Sequence, residues 1–388
     1  MYTSDDIKSA LADDELRLFY QPKVCLLRGR VIGAEALVRW CRKDGTIVGP
    51  DDFIAVAEAG GVLHDITLKM LDQAVGTLEH MREEFSGISL SMNVTPYDLA
   101  SHHVSGSISG HLGTGRLRQQ DLQVEITESD VMTRFEHVYD DIVELNKLGV
   151  DVLMDDFGVG YSSVDRLSQL PFSSLKIDKG VVSRMITSRQ NLNVVKSSIS
   201  MARELRMTSV AEGVESEGAY NILVANGCEQ AQGFWISTPL QFDDYLNFLR
   251  EQNRYPGSAI GCVHQAILNL VQFRKSLIDV AFCNNWVAGP MLESITDPDV
   301  ALPPEQTRFG LWYYGPGRVL AEMLEFQALE EPFLAMNAES KELISSVEKG
   351  AERSTVNQHL EIVDKDMTHL RDGLHKLERR LLGQGTLV

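Results

Sequence analysis

The chain reads as an α/β protein, a TIM-like (β/α)8 barrel followed by a C-terminal α-helical bundle. Three observations predict this. Short apolar runs alternate with segments of helical period from residue 16 to about 250, the pattern of a mostly parallel sheet. About eight such runs within some 250 residues match the strand number of a closed barrel. Beyond Phe248 the alternation stops and helix-period segments take over.

In chain order, residues 16–22 and 30–40 form two strands joined by a turn near Gly29, close enough in sequence to pair antiparallel. Residues 51–59 and 63–82 follow as helices around the break at Gly60-Gly61. Strands then recur at 88–94, 122–127, 151–155, 174–177, 208–211 and 228–232, with helices at 137–148, 191–205 and 216–226. A polar stretch with Pro256-Gly257 marks a linker over 251–260. The domain reading is therefore a barrel over 1–250, a linker over 251–260 and a bundle over 261–388. The bundle's helices are predicted at 263–281, 317–329, 332–350 and 352–382. In the last of these Leu360, Val363, Met367, Leu370, Leu374, Leu377 and Leu381 recur at spacings of three and four, which is bundle core rather than a cofactor box.

Charge and composition exclude several classes. The formal net charge of −19 argues against a DNA surface or an anionic-membrane surface. It leaves room for a small anionic ligand, because bound cations reverse the local sign. No apolar run approaches the roughly 20 residues that span a bilayer. The start lacks a basic and an apolar signal region, so no signal peptide is expected, and no sensor segment is expected ahead of Leu16. Five scattered cysteines without a CxxC pair fit reduced thiols in the cytoplasm.

The chemistry gathers at strand ends. Three apolar residues run into Asp155-Asp156, then Phe157-Gly158-Val159-Gly160. Adjacent side chains of a strand point to opposite faces, but at a strand end a bend can bring both to one place. Two carboxylates so placed suit two hard divalent cations, one carboxylate bridging. Glu35 lies in the second strand, and other strand ends carry Asn93, Glu125 and Glu128, Lys176 and Asp178, Glu212 and Glu215, and Gln232. Each alone reads as a loop polar group, with Asp178 a fair helix N-cap and Glu215 a first-turn acid. All of them together, on the face where barrel strands end, read as a polar metal site.

These residues resemble the EAL-domain family of cyclic di-GMP phosphodiesterases. The likeness runs through Glu35-Ala36-Leu37, Ser91-Met92-Asn93, Glu125-Ile126-Thr127-Glu128, Asp155-Asp156-Phe157-Gly158, Lys176-Ile177-Asp178, Glu212-Gly213-Val214-Glu215 and Gln232-Gly233. It covers about residues 10–250. It implies a barrel whose first strand is antiparallel, two Mg2+ or Mn2+ ions, and hydrolysis of one phosphodiester bond of cyclic di-GMP to linear pGpG. By the resemblance Glu35, Asn93, Glu125 and Asp155 hold the first ion. Asp155 bridges to a second ion, held also by Asp156 and Glu212. Lys176 orients the attacking water, and whether Glu212 is also the general base stays open. Glu128 and Glu215 join the catalytic set, while Gln21, Leu37, Arg39, Asp178 and Gln232 contact substrate or lie beside the ions. Homodimerisation through the face near the 156–163 loop is implied as well.

Two departures stand out. Val159 replaces the family's usual threonine, removing a hydroxyl and one hydrogen bond of about 1 kcal/mol. This predicts altered loop dynamics or metal affinity rather than a dead enzyme. Phe234-Trp235-Ile236-Ser237-Thr238-Pro239 also differs from the usual run past Gln232. The alternative function is a cyclic di-GMP receptor that binds in the same pocket with little turnover and signals through the bundle. A partner-binding scaffold with a vestigial barrel is the third class, disfavoured because clustered carboxylates are costly to keep without cations.

The C-terminal region resembles the chemoreceptor zinc-binding (CZB) domain through 308–314 and 326–332. His264 matches that family's first histidine, but Thr307 stands at its cysteine, and Phe333 and Asn337 at its paired histidines. The resemblance thus implies a derivative without zinc, kept for dimerisation, regulation or a protein partner.

Overall fold

A computed structural model describes residues 2–100, 102–133, 135–158, 167, 169–251, 253–255, 257, 259–283 and 298–383. The chain divides into two compact units, 1–255 and 256–388.

The first unit opens with helix α1 (Ser4–Ala12), whose Thr3 and Asp6 form a reciprocal capping box. Strands β1 (Leu16–Cys25) and β2 (Arg30–Cys41) pair antiparallel, Gln21 opposite Glu35. β3 (Ile47–Val48) is a two-residue addition to the end of β2, too short to leave a periodic signal. Helices α2 (Ile54–Ala59) and α3 (Leu63–Met81) lead to β4 (Ser89–Asn93). Then come α4 (Pro96–Ala100), α5 (His103–Gly113), β5 (Leu122–Thr127), α6 (Glu128–Thr133), α7 (Phe135–Lys147) and β6 (Asp151–Phe157). The unit is completed by β7 (Ser174–Ile177), α8 (Lys179–Arg184), α9 (Arg189–Glu204), β8 (Thr208–Ala211), α10 (Glu217–Ala225), β9 (Gln230–Gln232) and α11 (Phe242–Arg250).

From β2 through β4, β5, β6, β7 and β8 to β9 every neighbour is parallel. β1 closes the ring, antiparallel to β2 on one side and to β9 on the other. The result is an eight-stranded barrel with β3 as an appendage. Its parallel strands are buried along nearly their whole length, polar residues included, because both faces are covered, the outer by helices and the inner by barrel filling. Closure makes β2 and the parallel strands β4 to β9 end on one face, so residues as far apart as Glu35 and Gln232, 197 positions in sequence, become neighbours.

In the second unit α12 (Ala259–Cys283), α15 (Glu330–Glu348) and α16 (Arg353–Gly383) are the long helices. The predicted stripe is the buried face of α16, with Val363, Met367, Leu370, Leu374 and Leu377 all buried. Between the long helices lie α13 (Arg308–Tyr314) and α14 (Leu324–Gln327). Tyr313 stacks on Phe326 at 4.6 Å, and Phe309 meets Phe333 at 4.9 Å. The expected helix over 317–329 is broken. Pro316–Leu320 forms a 3-10 turn held by i→i+3 bonds, and Met323 is extended before α14 begins. Gly317 explains the tight turn, since a Cβ there would lie 2.8 Å from the Trp312 carbonyl. No described helix is long and apolar enough to cross a membrane.

Candidate metal centre

Period-2 geometry aligns Glu35, Leu37 and Arg39 on one face of β2. Glu35 is buried at the barrel mouth, and Leu37 and Arg39 are half-buried above it. Asn93 ends β4 opposite Glu125 of β5. Its Nδ2 donates to Glu35 Oε1 at 2.9 Å. Gln232, at the end of β9, donates from Nε2 to Glu35 Oε2 at 2.5 Å and to Glu212 Oε1 at 3.1 Å. Gly233 lets that strand end come close: a Cβ there would lie 2.2 Å from the Val214 nitrogen, in the loop that follows Glu212.

Asp155 and Asp156 would diverge if β6 stayed regular. It does not. The β6–β7 register shifts between Met154 and Phe157, and Asp156 takes a left-handed backbone with φ of 57°. For a non-glycine residue that conformation is uncommon and costs of order 1 kcal/mol or more. It turns both carboxylates to one side. Ligand atoms of Glu35, Glu125 and Asp155 lie within 4.8 Å of one another, and so do those of Asp155, Asp156 and Glu212. Asp155 belongs to both triads.

Lys176, fully buried on β7, sits among these acids. Its Nζ contacts Glu125, Glu212 Oε1 at 2.5 Å, Asp155 Oδ1 at 3.1 Å and Glu35 Oε2 at 3.4 Å. Burial opposes its charge, yet the four surrounding carboxylates outweigh that and hold the ammonium well above its ordinary range. Burial likewise raises Glu35, but the Lys176 charge and the Gln232 and Asn93 donors bring it down to about 2. Glu125 is raised to about 7 by burial and by the Glu35 charge. Burial raises Glu212 to about 8, against Lys176 and with Asp155. Burial and the Asp155 charge also raise Asp156. Four of the five carboxylates thus share the Lys176 ammonium in their midst.

The donor set fits hard dications. Five carboxylate side chains and one amide around two overlapping triads offer oxygen alone, as Mg2+ and Mn2+ require. Glu125 Oε1 and Gln232 Oε1 are buried without a hydrogen-bond partner, and a cation is the group that would satisfy both.

A pH prediction follows from the raised acids. Glu125 and Glu212 bind protons more tightly folded than unfolded, so the stability they confer is full below their ordinary value near 4.5. It is lost as pH rises through about 7 and about 8. Glu35 acts oppositely, but only below its ordinary range. The melting temperature of metal-free protein should therefore fall between about pH 5 and pH 8, and saturating Mg2+ should remove the fall. A flat metal-free profile would show that the acids are not coupled in this way.

The other predicted residues sit as follows. Glu128 opens α6, is buried, and accepts from the Gly158 amide at 3.1 Å, tying down the start of the loop after the aspartates. Asp178 N-caps α8, accepting from Gly180 and Val181. Its charge also bears on Asp156. Gln21 is buried beside Glu35 and donates to the Ser237 carbonyl at 3.3 Å. Arg39 donates to its neighbour's carbonyl, that of Val38, at 2.8 Å. Glu215 is exposed and outside both triads. Val159 lies outside the described residues. Sequence reasoning missed Lys23, a fully buried ammonium that donates to Ser91 and Gln123 and stands 3.9 Å from Glu125 Oε1. The signal was present: Lys23 is two residues beyond Gln21 and so shares its face of β1.

In the second unit His264 pairs with Glu378 at 2.5 Å. Thr307 caps α13 through its hydroxyl, and the Asn337 amide donates to the Phe333 carbonyl.

Comparison with known proteins agrees with this architecture. Cyclic di-GMP phosphodiesterase RocR of Pseudomonas aeruginosa is 32% identical over 243 residues, 63% of this chain and 62% of that protein. Cyclic di-GMP phosphodiesterase NbdA of the same organism is 32% identical over 247 residues, 63% of this chain and 32% of its own length. The chain therefore spans less than two thirds of either relative. Among solved structures, the PaMucR phosphodiesterase in complex with c-di-GMP superposes with a TM-score of 0.60 at 31% identity, over 62% of this chain and 98% of that one. The EAL enzyme Bd1971, bound to cAMP and cyclic di-GMP, gives 0.60 at 27%, over 63% and 68%. The EAL domain profile matches residues 4–239. That match takes in every strand of the barrel and both carboxylate triads, and this chain belongs to the EAL domain family.

Proposed function

We propose that the protein hydrolyses one phosphodiester bond of cyclic di-GMP to give linear pGpG, using two Mg2+ or Mn2+ ions. The observation that carries this reading is Asp155, one carboxylate common to two triads of ligand atoms. Glu35, Asn93, Glu125 and Asp155 would hold one ion, and Asp155, Asp156 and Glu212 the other. Two dications held there would supply charge to neutralise a phosphodiester and lower the pKa of the attacking water. Lys176 supplies a fixed positive charge where negative charge develops on the phosphoryl oxygens. Gln232 joins the two halves of the ligand set, Glu128 holds the loop start through Gly158, and Asp178 steadies the segment behind Asp156. Arg39 offers a planar fork to a phosphate, with Leu37 and Gln21 lining the same inward face. The exposed position of Glu215 supports a role at the rim.

The wider reading is a cytoplasmic homodimer, with the C-terminal unit serving regulation or a protein partner. That unit is taken as a zinc-free CZB-like bundle. The capping hydroxyl of Thr307 and the apolar Phe333 support this.

Chromatography of cyclic di-GMP incubated with protein and Mg2+ or Mn2+ tests the activity. Accumulation of pGpG is expected. Nucleotide binding without product in either metal would replace the enzyme with a receptor. Arg39→Ala is expected to raise KM about tenfold with a smaller change in kcat, the mark of lost ground-state binding. An unchanged KM would remove Arg39 from the phosphate contact.

A further inference from the structure

A second cluster of metal-ligating groups lies apart from both triads. His102, just before α5, and Asp141 and Glu144 of α7 bring three ligand atoms within 4.8 Å of one another. Asp141 and Glu144 are three residues apart and share one face of α7. His102 adopts a left-handed backbone, φ 54°. Its Nδ1 lies 3.7 Å from Asp141 Oδ1 and 3.4 Å from Glu144 Oε2. The Asp141 side chain is only 7% exposed, whereas those of His102 and Glu144 are 67% and 48% exposed.

The two separations are too long for hydrogen bonds, which fall at about 2.7–3.2 Å. They are close to the edges of a coordination shell: ligand bonds of about 2.0–2.2 Å place neighbouring donors about 3–3.6 Å apart. One imidazole nitrogen with two carboxylates is a donor set for a borderline cation, and the exposed side leaves room for water. An all-oxygen centre favours Mg2+ or Mn2+, while a nitrogen-containing one favours Zn2+ or Co2+.

We propose that His102, Asp141 and Glu144 form a separate site for a borderline divalent cation of the Zn2+ class, clipping the start of α5 to α7. The site does not depend on the reading of the barrel mouth. It would give the imidazole and the two acids, which meet as ion pairs at 3.7 and 3.4 Å, a common cation. Bound cation would stabilise the fold by mass action.

Calorimetric titration of Zn2+ into the chelator-stripped full chain tests this, comparing wild type with His102→Asn and Glu144→Gln. Both positions are exposed, and asparagine tolerates the left-handed backbone, so the variants keep the fold. Each variant is expected to lose one Zn2+ equivalent, or to bind it at least tenfold more weakly. The rise in melting temperature that Zn2+ gives the wild type should shrink in parallel. With Co2+ as probe, a four-coordinate visible absorption band present in the wild type should be missing from both variants. Zn2+ stoichiometry, affinity and thermal shift unchanged by both substitutions would overturn the site. If cyclic di-GMP hydrolysis failed while this equivalent persisted, the barrel-mouth reading alone would fall.

Discussion

Asp155→Asn is expected to abolish turnover of cyclic di-GMP while leaving the metal-free protein as stable as the wild type, or more so. The substitution keeps the shape and removes the charge. An amide offers one neutral oxygen and cannot bridge two dications, so both triads lose their common member. Turnover should fall by on the order of 10^3-fold or more, the scale of losing a principal electrostatic element. Stability should move the other way, because five crowded carboxylates become four and mutual repulsion drops. Lys176 loses one contact, at 3.1 Å, but keeps Glu125, Glu212 and Glu35. Product formation, Mn2+ stoichiometry and melting temperature measured on one preparation separate the two effects. A lower melting temperature with Mn2+ binding intact would make Asp155 a structural residue instead.

Lys176→Met should do damage of the opposite kind. Methionine fills much of the lysine stem, but four carboxylates then lose their central ammonium inside the barrel. Removing one partner of a buried ionic cluster costs about 3–5 kcal/mol. For a unit of this size that is about 10 °C or more in melting temperature. The loss should be larger near pH 8 than near pH 5, where protonation of Glu125 and Glu212 lightens the charge. Mn2+ should restore much of the stability, because dications replace the missing charge, but should not restore turnover. If Mn2+ restored both, Lys176 would serve only as a counter-ion.

Most of the barrel was legible because its strands are short apolar runs at regular spacing, and helices fill the intervals. The ligand set was legible for a related reason: parallel strands all end on one face, so an acid at each end implies a shared site. The stripe on α16 was equally plain from its spacing. Residues that depend on a local break in the pattern were not legible. Gly317 sits within an apparently helical stretch and turns the chain because the Trp312 carbonyl lies against it, a contact absent from any periodicity. β3 is two residues long and owes its existence to pairing with β2. Lys23 lies one residue past the predicted first strand, and only closure by β1 brings it within 3.9 Å of Glu125 Oε1.

By itself the sequence determined which residues stand at strand ends, and hence the chemical type of the centre: oxygen donors, one lysine, two amides. Only the tertiary structure decided how those residues share space. Asp155 and Asp156 follow each other in a strand, and strand geometry sends them to opposite faces. A register shift and one left-handed residue bring them together. The same holds for Glu35 and Gln232, separated by 197 positions and joined by a 2.5 Å hydrogen bond. Periodicity reports which face a side chain takes, because it is a property of local backbone geometry. Which faces meet depends on barrel closure, a global property carried by no single segment.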